Sequence, residues 1–151
     1  MASILSPTTF KVNIQEEHIV KNFRTVNDTA FEISNVTNVD RRIVTCPTTT
    51  SISLIDINGI NPGAGSFPSS SLRYLRITNL DNAYNLILTF SSSKDEYWSQ
   101  ELTPTSSYFL TSADVTGSGF INDLSSSIEN IKAYAISSSI DVEYFLVVII
   151  N

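Results

Sequence analysis

The amino-acid sequence predicts an all-β chain of antiparallel strands with an N-terminal arm, and three observations carry that prediction. Apolar residues recur with period two: Leu75 and Ile77 oppose Tyr74 and Arg76, and Leu86, Leu88 and Phe90 oppose Ile87 and Thr89. Successive side chains of a strand point to opposite faces, so this is the pattern of half-buried strands. Ser and Thr make up about a quarter of the 151 residues, and β-branched and aromatic side chains replace runs of strong helix formers. Short clusters of Asn, Asp, Gly and Ser punctuate the chain at strand-length intervals.

The elements follow in order. Residues 1–7 end in Pro7 and are weakly patterned, which makes them an arm. Thr9 to Ile14 is a first strand, with Phe10, Val12 and Ile14 on one side. Gln15-Glu16-Glu17 reads as a polar turn, His18 to Val26 as a second extended stretch, and Asn27-Asp28 as another turn. Ala30 to Val36 is a strand with Phe31 and Ile33 as core candidates. Asn38-Val39-Asp40 turns again, and Arg41 to Cys46 is extended until Pro47, which has no N–H for a sheet ladder. Thr50 to Ile57 places Ile52, Leu54 and Asp56 on one face and Ser53, Ile55 and Ile57 on the other, ahead of an Asn58-Gly59 reverse turn.

Residues 58–71 collect Pro62, Gly63, Gly65, Pro68 and several serines into a long loop. Splitting the chain there would leave two pieces too small to be stable without staples, so residues 8–151 are read as one domain. Loops carry binding function more often than scaffold strands, which makes this loop a candidate contact region.

The best-patterned stretch comes next. Leu72 to Thr78, a connection at Asn79 to Ala83, Tyr84 to Ser91, a turn at Ser91 to Asp95, and Tyr97 to Leu102 read as an up-down-up meander. Thr103 to Ser106 turns the chain into Ser107 to Leu110, with Tyr108 and Leu110 on one face. Ala113 to Asn122 is a Gly-containing loop, Leu124 to Ile128 is compatible with one short helical turn, and Ile131 to Ile136 is a strand closed by Ser137-Ser138-Ser139. Ile140 to Ile150 is the most apolar strand. Val142, Tyr144, Leu146, Val148 and Ile150 face one way, while Asp141 and Glu143 give way to Phe145, Val147 and Ile149 on the other. A strand apolar on both faces requires cover on both, centrally in its own fold or from another chain.

Composition and motif spacing narrow the chemistry. The net charge of −6 argues against nucleic acid as a partner, because such binding draws on clustered Lys and Arg. The one basic pair, Arg41-Arg42, adjoins Asp40 and reads as a solvated turn or salt bridge. Cys46 is the single cysteine, so the fold stands without an intrachain disulfide, as suits a reducing cytoplasm. It follows Ile43-Val44-Thr45 and reads as a small buried hydrophobe. The start of the chain lacks the basic and apolar segments of a signal peptide, and Phe145 to Ile150 is too short for a membrane helix, so a soluble chain is expected.

One histidine, His18, and no G-x-S-x-G leave no basis for a Ser/His/Asp triad, and one Cys with one His cannot make a zinc site. Asp56-Ile57-Asn58-Gly59 lacks the spacing and the bidentate Glu of a calcium loop, and Gly117 and Gly119 do not form G-x-G-x-x-G. No cofactor is expected. Asp95-Glu96, Asp114 and Asp123 are the carboxylates available to a glycosidase, although each stands in a turn-like context. Trp98 with Tyr97, Tyr84 and Tyr74 offers a sugar-stacking platform or, as aromatics on strands more commonly do, cross-strand packing pairs.

Leu72-Arg73-Tyr74-Leu75-Arg76-Ile77-Thr78-Asn79-Leu80-Asp81, then Glu96-Tyr97-Trp98-Ser99-Gln100-Glu101-Leu102 and Pro104 with Tyr108-Phe109-Leu110, resembles small virion proteins of tailed bacteriophages. The resemblance covers residues 70–112 and extends loosely to the end of the chain. It implies a jelly-roll-like β-sandwich and a non-enzymatic structural role, most often as a capsid decoration (cement) protein on the exterior of the virion, assembled in the bacterial cytoplasm. It further implies the major capsid protein as partner and a homo-oligomer, with a trimer as the expected state, and it carries over no catalytic residue. Exposure then nominates Ile4, Leu5, Pro7 and Phe10 near the N-terminus, and Asn61 and Phe67 of the long loop, as capsid contacts. A second reading is a carbohydrate- or receptor-binding module of a phage head or tail fibre, with exposed Trp98 and tyrosines stacking on sugars. A third is a glycan-degrading enzyme with two carboxylates facing across a cleft.

Overall fold

In a computed structural model, residues 8–57, 66–67, 72–92, 97–111 and 128–149 are described. Among them there are eleven strands and no helix: β1 (Thr8–Val20), β2 (Phe23–Val36), β3 (Asn38–Cys46), β4 (Ile52–Ile57), β5 (Ser66–Phe67), β6 (Leu72–Asn79), β7 (Leu86–Ser92), β8 (Tyr97–Leu102), β9 (Ser107–Thr111), β10 (Ile128–Ala135) and β11 (Ile140–Val148). The predicted all-β sandwich is what the chain adopts.

From β3 onward the pairing is nested. β3 pairs with β11, β4 with β10, β6 with β9 and β7 with β8, all antiparallel. The chain therefore behaves as one long hairpin doubled back at β7–β8 and rolled up, with strands assigned alternately to two facing sheets. One sheet has the order β3-β11-β6-β9 and the other β5-β4-β10-β7-β8, where β5 adds a two-residue parallel bridge to β4. Nested antiparallel pairs split between two sheets are a jelly roll, the architecture that stacks two Greek keys.

Between the sheets lies the main core. β11 contributes Ile140, Val142, Tyr144, Leu146 and Val148, β6 adds Leu75 and Ile77, and β7 with β10 supplies Leu86, Leu88, Phe90, Ile131, Ala133 and Ala135. The alternation read from the sequence is obeyed in each of these strands. It fails in β4, where Leu54 and Ile55 are both buried. The register against β10 slips between Ile131/Ile55 and Lys132/Ser53, and the extra residue of this bulge resets the parity of the strand. Cys46 is fully buried, and that burial first, with the Asp141 carboxylate second, pushes its thiol up to about 11.

Of the meander expected over residues 72–102, the second half forms, with β7 and β8 paired antiparallel, and the first half is replaced by a crossing between sheets. β6 does not pair with β7; the chain passes at Asn79–Asn85 from the four-stranded sheet to the five-stranded one, and at Thr103–Ser106 it passes back. Asn79 holds the two crossings together. Its buried Nδ2 donates to the carbonyls of Tyr84 (2.9 Å), Leu102 (3.2 Å) and Thr103 (3.3 Å), and its Oδ1 accepts the Asp81 N–H at 3.0 Å. Asp81 in turn accepts the amides of Ala83 and Tyr84 on Oδ1, and its own carbonyl accepts the Thr105 N–H. The Asn79 that marks a turn in the sequence is thus a buried knot between two loops, with half-buried Asp81 beside it. Residues 93–96 and 112–127 lie outside the described residues, and with them the loop expected at Ala113 to Asn122, as do residues 58–65 and 68–71 of the stretch expected as the Gly/Pro/Ser loop.

The largest departure from the sequence reading concerns β1 and β2. Gln15-Glu16-Glu17 and Asn27-Asp28 are not turns. They face one another in mid-ribbon, with Gln15 opposite Asp28 and Glu16 opposite Asn27. The chain reverses instead at Lys21-Asn22, whose φ angles of 48° and 69° are those of a two-residue type I′ hairpin. Likewise Asn38-Val39-Asp40 belongs to β3, and the only residue between β2 and β3 is Thr37, which donates through N and Oγ1 to the Val148 carbonyl.

Candidate functional site

The β1–β2 hairpin is a two-stranded sheet of its own, about 40 Å long at ~3.3 Å per residue. Such a ribbon is at best marginal in water alone, so where it is anchored decides what it can do. Its base carries Phe10, Val12, Phe31, Ile33 and Val36, which pack on Tyr74, Phe145, Val147 and Ile149 of the outer face of the four-stranded sheet. Phe10 lies 5.4 Å from the Tyr74 ring and 5.5 Å from the Phe145 ring, stacked on the latter. This supplies the second cover that the doubly apolar β11 demands, and it comes from the chain itself.

Beyond the base every residue from Asn13 to Ala30 is exposed. The register sorts this distal part into zones. The waist is polar, with Asn27 Nδ2 donating to Glu16 at 3.3 Å, His18 opposite Thr25, and Arg24 pairing with Glu17 at 2.8 Å. The end is apolar: Val20 faces Phe23 on one side, and Ile19 and Val26 emerge on the other. Phe23 is 79% exposed and Ile19 66%, the values of side chains with nothing of their own chain to cover them. A hollow of about 410 Å³, open to solvent, runs beside the waist at Asn13–Gln15 and Asp28–Ala30.

The outer face on which the base sits is only partly covered. Cross-strand neighbours place Arg41, Phe145, Arg76 and Phe109 in one row across the sheet, and Ile43, Glu143, Thr78 and Ser107 in the next. Glu143 is buried between two guanidinium groups, with Arg41 Nη2 and Arg76 Nη2 each 2.5 Å from one of its oxygens. Burial alone would push its carboxyl up, but the hydrogen bonds and charges of Arg41 and Arg76 outweigh it and hold the group below the usual carboxylate range. Arg76 also rests over the Phe145 ring at 5.8 Å. Ile43 and Phe109 stand at the two sides of this ion triad, 59% and 49% exposed. The salt-bridge reading of Arg41-Arg42 is correct, since Arg42 pairs with Asp40 at 3.0 Å on the other face of β3.

The other residues singled out in the sequence are dispersed. Phe10 is half-buried under the ribbon base and not free, whereas Ile4, Leu5, Pro7 and Asn61 lie outside the described residues, and Phe67 is described only as part of β5. Trp98 turns inward and stacks on Phe90 at 4.8 Å, as a cross-strand pair of β8 and β7. Tyr74 is buried beneath the ribbon, while Tyr97 and Tyr84 are exposed elsewhere, so these aromatics share no platform. His18 is exposed on the ribbon. Asp95, Glu96, Asp114 and Asp123 lie outside the described residues, and among the described residues no group of three or more His, Cys, Asp or Glu is placed to hold a metal ion.

The sequence reading missed the ribbon because polar mid-strand residues mimic turns. The missed signal is a mirror symmetry about Lys21-Asn22: Lys11 meets Glu32, Val12 meets Phe31 and Phe10 meets Ile33 at equal distances from the true reversal. Comparison of the chain with protein-family models, with curated proteins and with solved structures gives no match.

Proposed function

We propose that this chain is a non-enzymatic structural protein of a tailed-phage virion, a decoration protein that binds the major capsid lattice from outside as a homo-oligomer, with a trimer as the expected state. The single observation behind this reading is the projecting ribbon. Large apolar side chains that the fold has no use for are carried some distance from the body on a hydrogen-bonded arm, and exposed apolar surface is what macromolecular contacts are built from. The likeness of residues 70–112 to small phage virion proteins supplies the partner. The jelly roll is compatible with this role but does not single it out, because the same architecture serves capsid proteins and lectins.

Rebinding is the decisive experiment. Purified protein mixed with capsids stripped of it returns to the particles in a saturable, stoichiometric ratio; a protein that stays in the supernatant at all concentrations overturns the reading. A glycan-binding role would have to rest on Tyr97 and Tyr84, since Trp98 spends its face on Phe90.

A further inference from the structure

We propose that the apolar end of the ribbon docks on the outer face of the four-stranded sheet of a second copy of this chain, beside Arg41 between Ile43 and Phe109. The inference deepens the homo-oligomeric part of the function proposed above and does not depend on the capsid.

The molecule already shows that its ribbon binds this face. The base does so in cis, with Phe10 on Phe145 and Tyr74, and the uncovered remainder is continuous with that contact. What remains uncovered repeats the same chemistry, apolar side chains around a guanidinium. Ile43 and Phe109 are exposed on either side of the Arg41–Glu143–Arg76 triad, and Arg76 already lies over a phenyl ring. Phe23 at the ribbon end is the free phenyl ring that Arg41 lacks, with exposed Val20 paired to it on the same side for a flanking apolar position.

Arg41 also has hydrogen-bonding capacity to spare. Arg41 is bonded to Glu143 through Nε and Nη2 on a single oxygen, and its side chain is 63% exposed, so donors of its five remain for a second acceptor. Glu16 stands on the Phe23 side of the ribbon, behind His18, and brings a carboxylate to such a site, whereas Glu17 on the other side is taken by Arg24. Donor and acceptor surfaces are different patches of one molecule, so the contact is head-to-tail, and copies joined this way close into a ring when the rotation permits. Each copy then gives one ribbon end and receives one, which doubles the area buried per copy relative to a single small contact.

Sedimentation equilibrium of the full chain tests this. The wild type self-associates; Val20→Ser with Phe23→Ser on the ribbon, or Ile43→Ser with Phe109→Ser on the sheet, weakens association by about tenfold or more. A head-to-tail contact makes a further demand. The ribbon variant keeps a sound face and the sheet variant a sound ribbon, so their mixture forms a one-to-one complex that grows no further. Far-ultraviolet circular dichroism verifies the fold of each variant, and Ile43→Lys alone carries the face arm if the serine pair unfolds the sheet. A wild type that is monomeric up to its solubility limit, association that either variant leaves intact, or a mixture that fails to pair overturns the proposal. Capsid rebinding separates the two readings: a monomer that rebinds removes only the tip-to-face contact, and an oligomer that does not rebind removes only the capsid.

Discussion

Glu143 lies 2.5 Å from Arg76 across two neighbouring strands, its side chain 7% exposed on the sheet face that the ribbon base shares. Arg41 closes on the same carboxylate from the other side. Replacing Glu143 by Ala leaves two guanidinium groups side by side without their counter-ion. Because both keep access to water, the expected cost is about 1–3 kcal/mol, below the 3–5 of a fully buried pair. Urea denaturation at neutral pH measures it.

The same carboxylate gives the protein a pH dependence. Its folded pKa is lowered, so the unfolded chain binds the proton more readily, and the stability that Glu143 contributes is present above the ordinary glutamate value of about 4.3 and is lost as pH falls through the folded one. Glu143→Gln therefore flattens the stability-against-pH curve below about pH 5. A variant whose acid limb superposes on that of the wild type contradicts the assignment.

Asn79 joins two loops that the sheets do not otherwise pair. Asn79→Ala strands three carbonyls and the Asp81 amide at once, for an expected loss of about 2–4 kcal/mol. Asn79→Asp is worse at neutral pH, since it aims a charge at those carbonyls, and recovers in part on acidification. Thermal melts of both variants across pH provide the check.

Phe10 anchors the ribbon, so Phe10→Ala acts on one part of the molecule. Half-burial puts the cost at about 1–3 kcal/mol. Hydrogen exchange locates it: amides of β1 and β2 lose protection while those of β7 and β10 keep theirs. Uniform loss across all strands contradicts the ribbon's being anchored as a separate sheet.

The hairpin reversal tests the ribbon register. Lys21 and Asn22 both hold positive φ, so Lys21→Asn with Asn22→Gly stabilises the distal ribbon by about 0.5–1 kcal/mol, and Asn22→Val costs about 1–2. Exchange rates near the tip respond in opposite directions for the two.

Buried Cys46 reports global opening. Its thiol is pushed up to about 11, against about 8.5 in an unfolded chain, so the native protein resists alkylation at pH 8 and stability falls as pH rises through that interval. Labelling that tracks the unfolding rate is the expected result; prompt labelling of the native state contradicts burial.

How far the sequence carries can be seen strand by strand. The inward sets Leu75/Ile77, Leu86/Leu88/Phe90 and Tyr108/Leu110 are legible, as is the need of β11 for cover on both faces. Leu54 and Ile55 are not, because a bulge is decided by the neighbouring strand and not by its own residues. Nor is Asn79 legible as a buried knot: Asn-x-Asp has the same local conformational preferences whether the chain turns within a sheet or crosses to another. The candidate docking surface was legible least of all. Its parts are residues 19–26, 41–43 and 109, which are joined only by register.

By itself the sequence determined that the fold is all-β, which side chains β6, β7, β9 and β11 turn inward, and that β11 must be sandwiched. These follow from backbone geometry, which alternates side chains whatever lies beyond the strand. The tertiary structure alone decided that β1 and β2 form one projecting ribbon, that β6 abandons β7 for β9 and β11, and that the ribbon base is the lid of β11. Those choices come from long-range burial of apolar surface, which a local pattern of residues does not encode.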